Sequence, residues 1–98
     1  MKIIALKFEY EEYYINVPEN VYNNISTIRK EFDKWLYDKN NDHGYWVIIN
    51  GVKKGVSYDE SAFIDFINDR YLRKGDARVR MIGKDEITDP CDIKTEWF

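Results

Sequence analysis

The segment Tyr45-Trp46-Val47-Ile48-Ile49-Asn50-Gly51-Val52-Lys53-Lys54-Gly55-Val56 constrains the fold more than any other stretch of the chain. Tyr45 to Ile49 is an unbroken aromatic and β-branched run, the composition of a strand. Asn50-Gly51 follows at once. A two-residue type I′ turn needs positive φ at both central positions, which Asn and Gly tolerate best, so the pair predicts a hairpin with Val52 to Val56 as its return strand. Ser57, with Glu60 three residues later, has the spacing of a capping box and predicts the start of a helix.

Around this hairpin the rest of the chain falls into order. Lys2 to Glu9 and Tyr13 to Val17 read as two strands, with Ile4, Leu6 and Phe8 on one face of the first and Tyr13, Ile15 and Val17 on one face of the second. Pro18 or Asn20 starts a helix whose apolar stripe is Val21, Ile25, Ile28, Phe32 and Trp35, with Leu36 beside it, over roughly five turns. A second helix is predicted from Tyr58 to Leu72, with Phe63, Phe66 and Ile67 inward and Gly75 as its C-cap. Ala77 to Ile82 alternates Arg78 and Arg80 against Val79 and Met81, a half-buried strand. Residues 85 to 98 form an acidic segment, interrupted by Pro90, that ends in Trp97-Phe98; it reads as a tail on a domain spanning residues 1 to 84. The element order ββαββαβ predicts an α+β fold: a four- or five-stranded, mainly antiparallel sheet with two helices on one face.

Length and charge narrow the function classes. A chain of 98 residues makes one domain and one core. The formal net charge of −3 argues against general affinity for nucleic acid or acidic membrane. The apolar run Ile3 to Leu6 is too short for a signal peptide or a membrane span, so the expected compartment is cytoplasmic. The abundance of Ile, Asn, Lys and Tyr, residues with AT-rich codons, points to a low-GC bacterium, one of its phages or a mobile element.

No chemistry is legible. His43 is the sole histidine and Asp42 beside it could orient a base, but no nucleophile elbow accompanies them, and a loop residue is the plainer account. One His and one Cys, Cys91, cannot build a structural zinc site. Asp85, Glu86, Asp89 and Asp92 lack the ligand spacing of a calcium loop. Asp65 and Asp69 are neighbours on a helix face, where like charges are more often solvated than catalytic. No catalytic residue, metal or cofactor is therefore expected.

Two surfaces remain. Arg70, Arg73, Lys74, Arg78, Arg80 and Lys84 form the chain's basic cluster and are the alternative, nucleic-acid-binding reading; their bland account is a helix end and the polar face of a strand. The second surface comes from the aromatic content of three Trp, eight Tyr and five Phe. The central strand is apolar on both faces, with Trp46 and Ile48 opposite Tyr45, Val47 and Ile49. Ile3, Ala5 and Tyr14 add to the second face of the sheet. Helices on one side leave that face without a cover. Either the tail covers it, through Ile93, Trp97 and Phe98, or another protein or a second copy of the chain does. The acidic tail with its proline suits a regular strand poorly, which favours the partner. The expectation is a small non-enzymatic protein-interaction module, a homodimer among the options, whose partner-binding residues are Trp46, Ile48, Tyr14, Trp97 and Phe98.

Overall fold

The computed structural model describes residues 2–87 and 93–98. Pro90 and Cys91, and the acidic residues Asp89 and Asp92, lie outside that set. Strands β1 (Lys2–Lys7) and β2 (Glu12–Val17) form an antiparallel hairpin in register from Lys2 opposite Val17 to Lys7 opposite Glu12. Its turn is closed by the Phe8 N–H donating to the Glu11 carbonyl at 2.8 Å. Alternation sends Ile4, Leu6, Ile15 and Val17 into a core from which solvent is excluded.

The predicted first helix is two. α1 (Glu19–Asn23) and α2 (Ile25–Tyr37) meet at Asn24, whose φ of −117° leaves the helical range. The Asn24 side chain donates back to the Asn20 carbonyl at 2.7 Å, a local bond that competes with the helix ladder. The apolar stripe survives the break: Val21, Ile25, Ile28, Phe32 and Leu36 are all buried, while Trp35 is only half-buried. Phe32 is the hub, with ring centroids 5.1 Å from Phe63, 5.3 Å from Phe66 and 5.5 Å from Tyr58.

β3 (Trp46–Ile49) and β4 (Val52–Val56) form the expected hairpin, with Asn50 at φ 52° and Gly51 at φ 75°. They do not join the main sheet. They make a separate two-stranded ribbon. The reason lies in the loop before β3. The Asn41 amide donates to the Trp35 carbonyl at 2.9 Å and the His43 ring bonds the Leu36 carbonyl at 2.7 Å. These side chains satisfy carbonyls that the end of α2 leaves open, and so hold the start of β3 at the helix terminus.

α3 (Glu60–Arg70) is capped by Asp59, not Ser57: the Asp59 carboxylate accepts from the Ser61 N–H at 3.1 Å and the Ser61 hydroxyl at 2.6 Å. The hydrogen bond from the Ser61 hydroxyl holds the Asp59 carboxyl below the usual carboxylate range. The Ser57 N–H is instead spent on the Tyr45 carbonyl, extending the ribbon. α3 also ends before Gly75, which serves the Arg73–Asp76 turn at φ 98°. The predicted strand from Ala77 shrinks to β5 (Arg80–Ile82). The Asn68 side chain accepts from the Val79 N–H at 2.8 Å and donates to the Val79 carbonyl at 3.1 Å. Both backbone groups of Val79 are thus taken by α3, and the ladder with β2 begins one residue later. Val79 is buried as expected, but Met81 is 43% exposed on an edge strand.

The segment read as an irregular tail ends in a strand, β6 (Lys94–Trp97), parallel to β1 with Ile4 opposite Lys94 and Lys7 opposite Trp97. The main sheet is therefore four-stranded and mixed, in the order β5-β2-β1-β6, and the α+β class holds with three helices and a ribbon outside the sheet. After β6 the Phe98 N–H donates to the Lys7 carbonyl at 2.9 Å. The Phe98 ring stacks on Phe8 at 4.6 Å and meets Phe63 at 5.0 Å, beneath the Arg29 guanidinium at 4.0 Å. Arg29 is in turn paired with Asp33, one turn along α2. Among the described residues no helix is long and apolar enough to cross a membrane.

Two expectations follow from this packing. Phe98→Ala should cost about 3 kcal/mol in chemical denaturation, the lower end for an aromatic ring because Phe98 is half-buried; a change below ~0.5 kcal/mol would place the ring outside the core. Glu96 lies on the core side of β6, and burial pushes its carboxyl above the usual glutamate range against the opposing pull of Arg29. Its contribution to stability is therefore complete below the ordinary glutamate value and is lost as pH rises through the raised one. The stability of the parent relative to Glu96→Gln should accordingly fall between mildly acidic and neutral pH; a difference that is flat or rises would contradict the burial.

Candidate interaction surface

The β3–β4 ribbon is built in two zones. At its base the Trp46 indole N–H donates to the Asn41 carbonyl at 2.6 Å, and the ring stacks on His43 at 4.9 Å with planes 10° apart. The Lys53 ammonium lies 5.2 Å from the indole centroid, bonded to the Asp42 carboxylate at 2.7 Å and the Lys39 carbonyl at 2.6 Å. The Lys53 hydrogen bond and charge hold the Asp42 carboxyl below its usual range. The tip is different. Ile48 is 59% exposed, Ile49 52%, Val52 48% and Val47 39%. Ile49 and Val52 face one another beside the turn with Val47 on the same face, while Ile48, opposite Lys53, lies on the other face. A bulge after Val47 leaves Lys54 as the extra residue on β4.

The ribbon has two edges of unlike character. β4 carries Lys53, Lys54 and the bulge, devices that discourage further pairing. β3 reads Trp-Val-Ile-Ile, without charge, proline or bulge, and among the described residues pairs with β4 alone. The Tyr45 carbonyl accepts from the Ser57 N–H at 2.8 Å, so Tyr45 turns its backbone towards the return strand. Backbone direction alternates along a strand. Val47 and Ile49 therefore also face β4, and the N–H and C=O groups of Trp46 and Ile48 face outward.

The residues expected on one partner-binding face are dispersed. Trp46 and Ile48 belong to the ribbon, not to the second face of the sheet. That face carries Ile3, Ala5 and Lys7 of β1, Tyr14 of β2, Ile82 of β5 and Trp97 of β6, by register. Trp97 is 69% exposed there, beneath the Lys7 ammonium at 5.1 Å. The Tyr14 hydroxyl donates to Glu12 at 2.7 Å, which lowers the Glu12 carboxyl and raises the Tyr14 phenol from their usual values. Phe98 takes the opposite direction and enters the core. The segment after residue 92 thus extends the sheet at its edge, and its last aromatic pair is split between the two faces.

His43 is tied into the loop by both ring nitrogens. Its Nδ1 accepts from the Tyr45 N–H at 3.2 Å, which leaves Nε2 to donate to the Leu36 carbonyl. Both ring nitrogens are committed. Beside it lies a cleft of about 400 Å3 lined by Trp35, Tyr45, Phe66, Asp65, Asp69 and Arg70, a feature the sequence reading missed. The Arg70 guanidinium already covers its aromatic floor, 5.5 Å from Trp35 and 5.1 Å from Phe66. Burial, reinforced by Asp65, pushes the Tyr45 phenol up. The cleft therefore carries its own cation and offers no serine or cysteine nucleophile.

The basic cluster is dispersed, and Arg78, expected on the polar face of a strand, lies ahead of β5. Arg70 is spent on aromatic rings, and Arg78 donates to the Asn68 carbonyl at 2.7 Å. Arg73 and Lys74 lie on the exposed turn after α3, Arg80 on edge strand β5, and Lys84 on the 3-10 turn Lys84–Glu86. Among the described residues no group of three His, Cys, Asp or Glu side chains is placed to hold a metal ion. Comparison with protein-family models, with curated proteins and with solved structures found no match to this chain.

Proposed function

We propose that this protein is a non-enzymatic interaction module and that the β3–β4 ribbon is its docking element. The observation that carries the proposal is the apolar tip: Val47, Ile49 and Val52 are exposed on one face and Ile48 on the other, on a ribbon that, among the described residues, pairs with no strand of the main sheet. Burying such side chains is worth roughly 1.5–3 kcal/mol each, so leaving four in water is costly unless another surface covers them. Polar residues could occupy these positions at little cost to the core, because none of the four belongs to the buried cluster. The base of the ribbon, by contrast, is fastened by Trp46, His43 and Lys53, which suits an element that must be presented in one orientation.

The test is capture on immobilised protein, comparing the parent with Ile48→Glu. Glu at this position faces Lys53 across the ribbon, an opposite-charge pair that leaves the hairpin intact. Proteins retained by the parent, further copies of the chain included, should be lost from the variant at least tenfold. Equal retention by both would remove the ribbon as the docking element.

A further inference from the structure

We infer that the occupant of the ribbon is a second copy of this chain, joined through the free edge of β3 in antiparallel, two-fold pairing centred on Val47. Self-pairing at this edge rests on the ribbon being the docking element and specifies what docks there. The outward backbone groups are those of Trp46 and Ile48. In a two-fold pairing centred on Val47, Trp46 of one copy meets Ile48 of the other, and the reverse, so that each pair exchanges both N–H and C=O bonds. Four hydrogen bonds form and no outward group of β3 is left unpaired. Centring on Ile48 would instead set Trp46 against Asn50, whose φ of 52° is fixed by the turn. Centring on Trp46 would need Gly44, which precedes the strand.

The side chains and charges agree with this register. On one face each indole of Trp46 lies across from an Ile48, an aromatic–β-branched pair of the kind that stabilises sheets. On the other face Val47 meets its own mate, with Ile49 and Tyr45 diagonal to it. β3 carries no charge, so the two-fold brings no like charges together at the seam. The lysines of the two β4 strands are kept apart by three strand spacings, about 14 Å, which exceeds the Debye length of ~8 Å at physiological salt. An isolated two-stranded ribbon is marginal, whereas the paired ribbons make four strands. An edge of four residues is small beside a standard interface, so the dimer should be a dissociating one.

Solution mass by light scattering and sedimentation should show the full chain passing from monomer to dimer between about 1 µM and about 1 mM, the range of weak interfaces. Ile48→Glu should shift the midpoint at least tenfold higher while circular dichroism stays unchanged. In a Cys91→Ser background, Val47→Cys should form a disulfide-linked dimer on mild oxidation, because non-hydrogen-bonded partners lie with Cα atoms about 4.5 Å apart. Ile49→Cys should not, since its mate would be about 14 Å away, beyond the ~7 Å limit for a bridge. The cysteine pair keeps the test decisive even if Ile48→Glu fails to fold. A monomer throughout the range overturns self-pairing; if Ile48→Glu still abolishes capture of a foreign protein, the ribbon remains a docking element with another occupant. A dimer indifferent to Ile48→Glu, or cross-linked equally through either cysteine, also overturns it and moves the contact to the sheet face bearing Tyr14 and Trp97.

Discussion

Two carbonyl groups at the end of α2 decide the shape of the molecule. Trp35 and Leu36 lie in the last turn, where the helix supplies no N–H partners, and their oxygens are taken by Asn41 and His43. This side-chain cap turns the chain sharply and starts β3 beside the helix terminus. His43 then presents its flat face to Trp46, and Trp46 bonds back to Asn41. Cap, stack and strand form one closed circuit. β3 by itself, apolar on both faces, has the composition of a central strand; held by this circuit, the hairpin stands outside the sheet and its tip meets solvent.

The positions next to β1 and β2 that the hairpin leaves vacant are filled from the C-terminal third of the chain. β5 is short because Asn68 holds Val79 on α3, and β6 is parallel because it returns along β1 from the far side of the domain. Phe98 finishes the core by stacking on Phe8, while Arg29 covers the ring and compensates in part for the burial of Glu96. The core therefore joins residues from both ends of the chain around Phe32.

The sequence revealed local structure well and long-range pairing poorly. Asn50-Gly51 specified its turn because positive φ is a property of those two residues, and the stripe from Val21 to Phe32 specified the buried helix face because spacing alone determines it. Ser57 and Gly75 misled for a shared reason: each had the right chemistry, but Asp59 offered a better cap and α3 ended earlier than its apolar stripe implied. β6 was hidden because its strand character comes from pairing with β1; Lys-Thr-Glu-Trp has no apolar alternation of its own. For the candidate surface, Trp46 and Ile48 stood out through the two-sided apolarity of their strand. Their separation from Tyr14 and Trp97 depended on how the loop is capped, a three-dimensional fact with no sequence periodicity.

The central claim is that β3 offers a free edge in the monomer and closes it by pairing. Residue-resolved amide hydrogen exchange measured as a function of protein concentration tests this most directly. In dilute solution the Val47 and Ile49 amides, which face β4, should be protected while those of Trp46 and Ile48 exchange freely. At high concentration Trp46 and Ile48 should gain protection together. If they are protected at every concentration, or never become so, the edge is either already covered within one chain or is not where two chains meet.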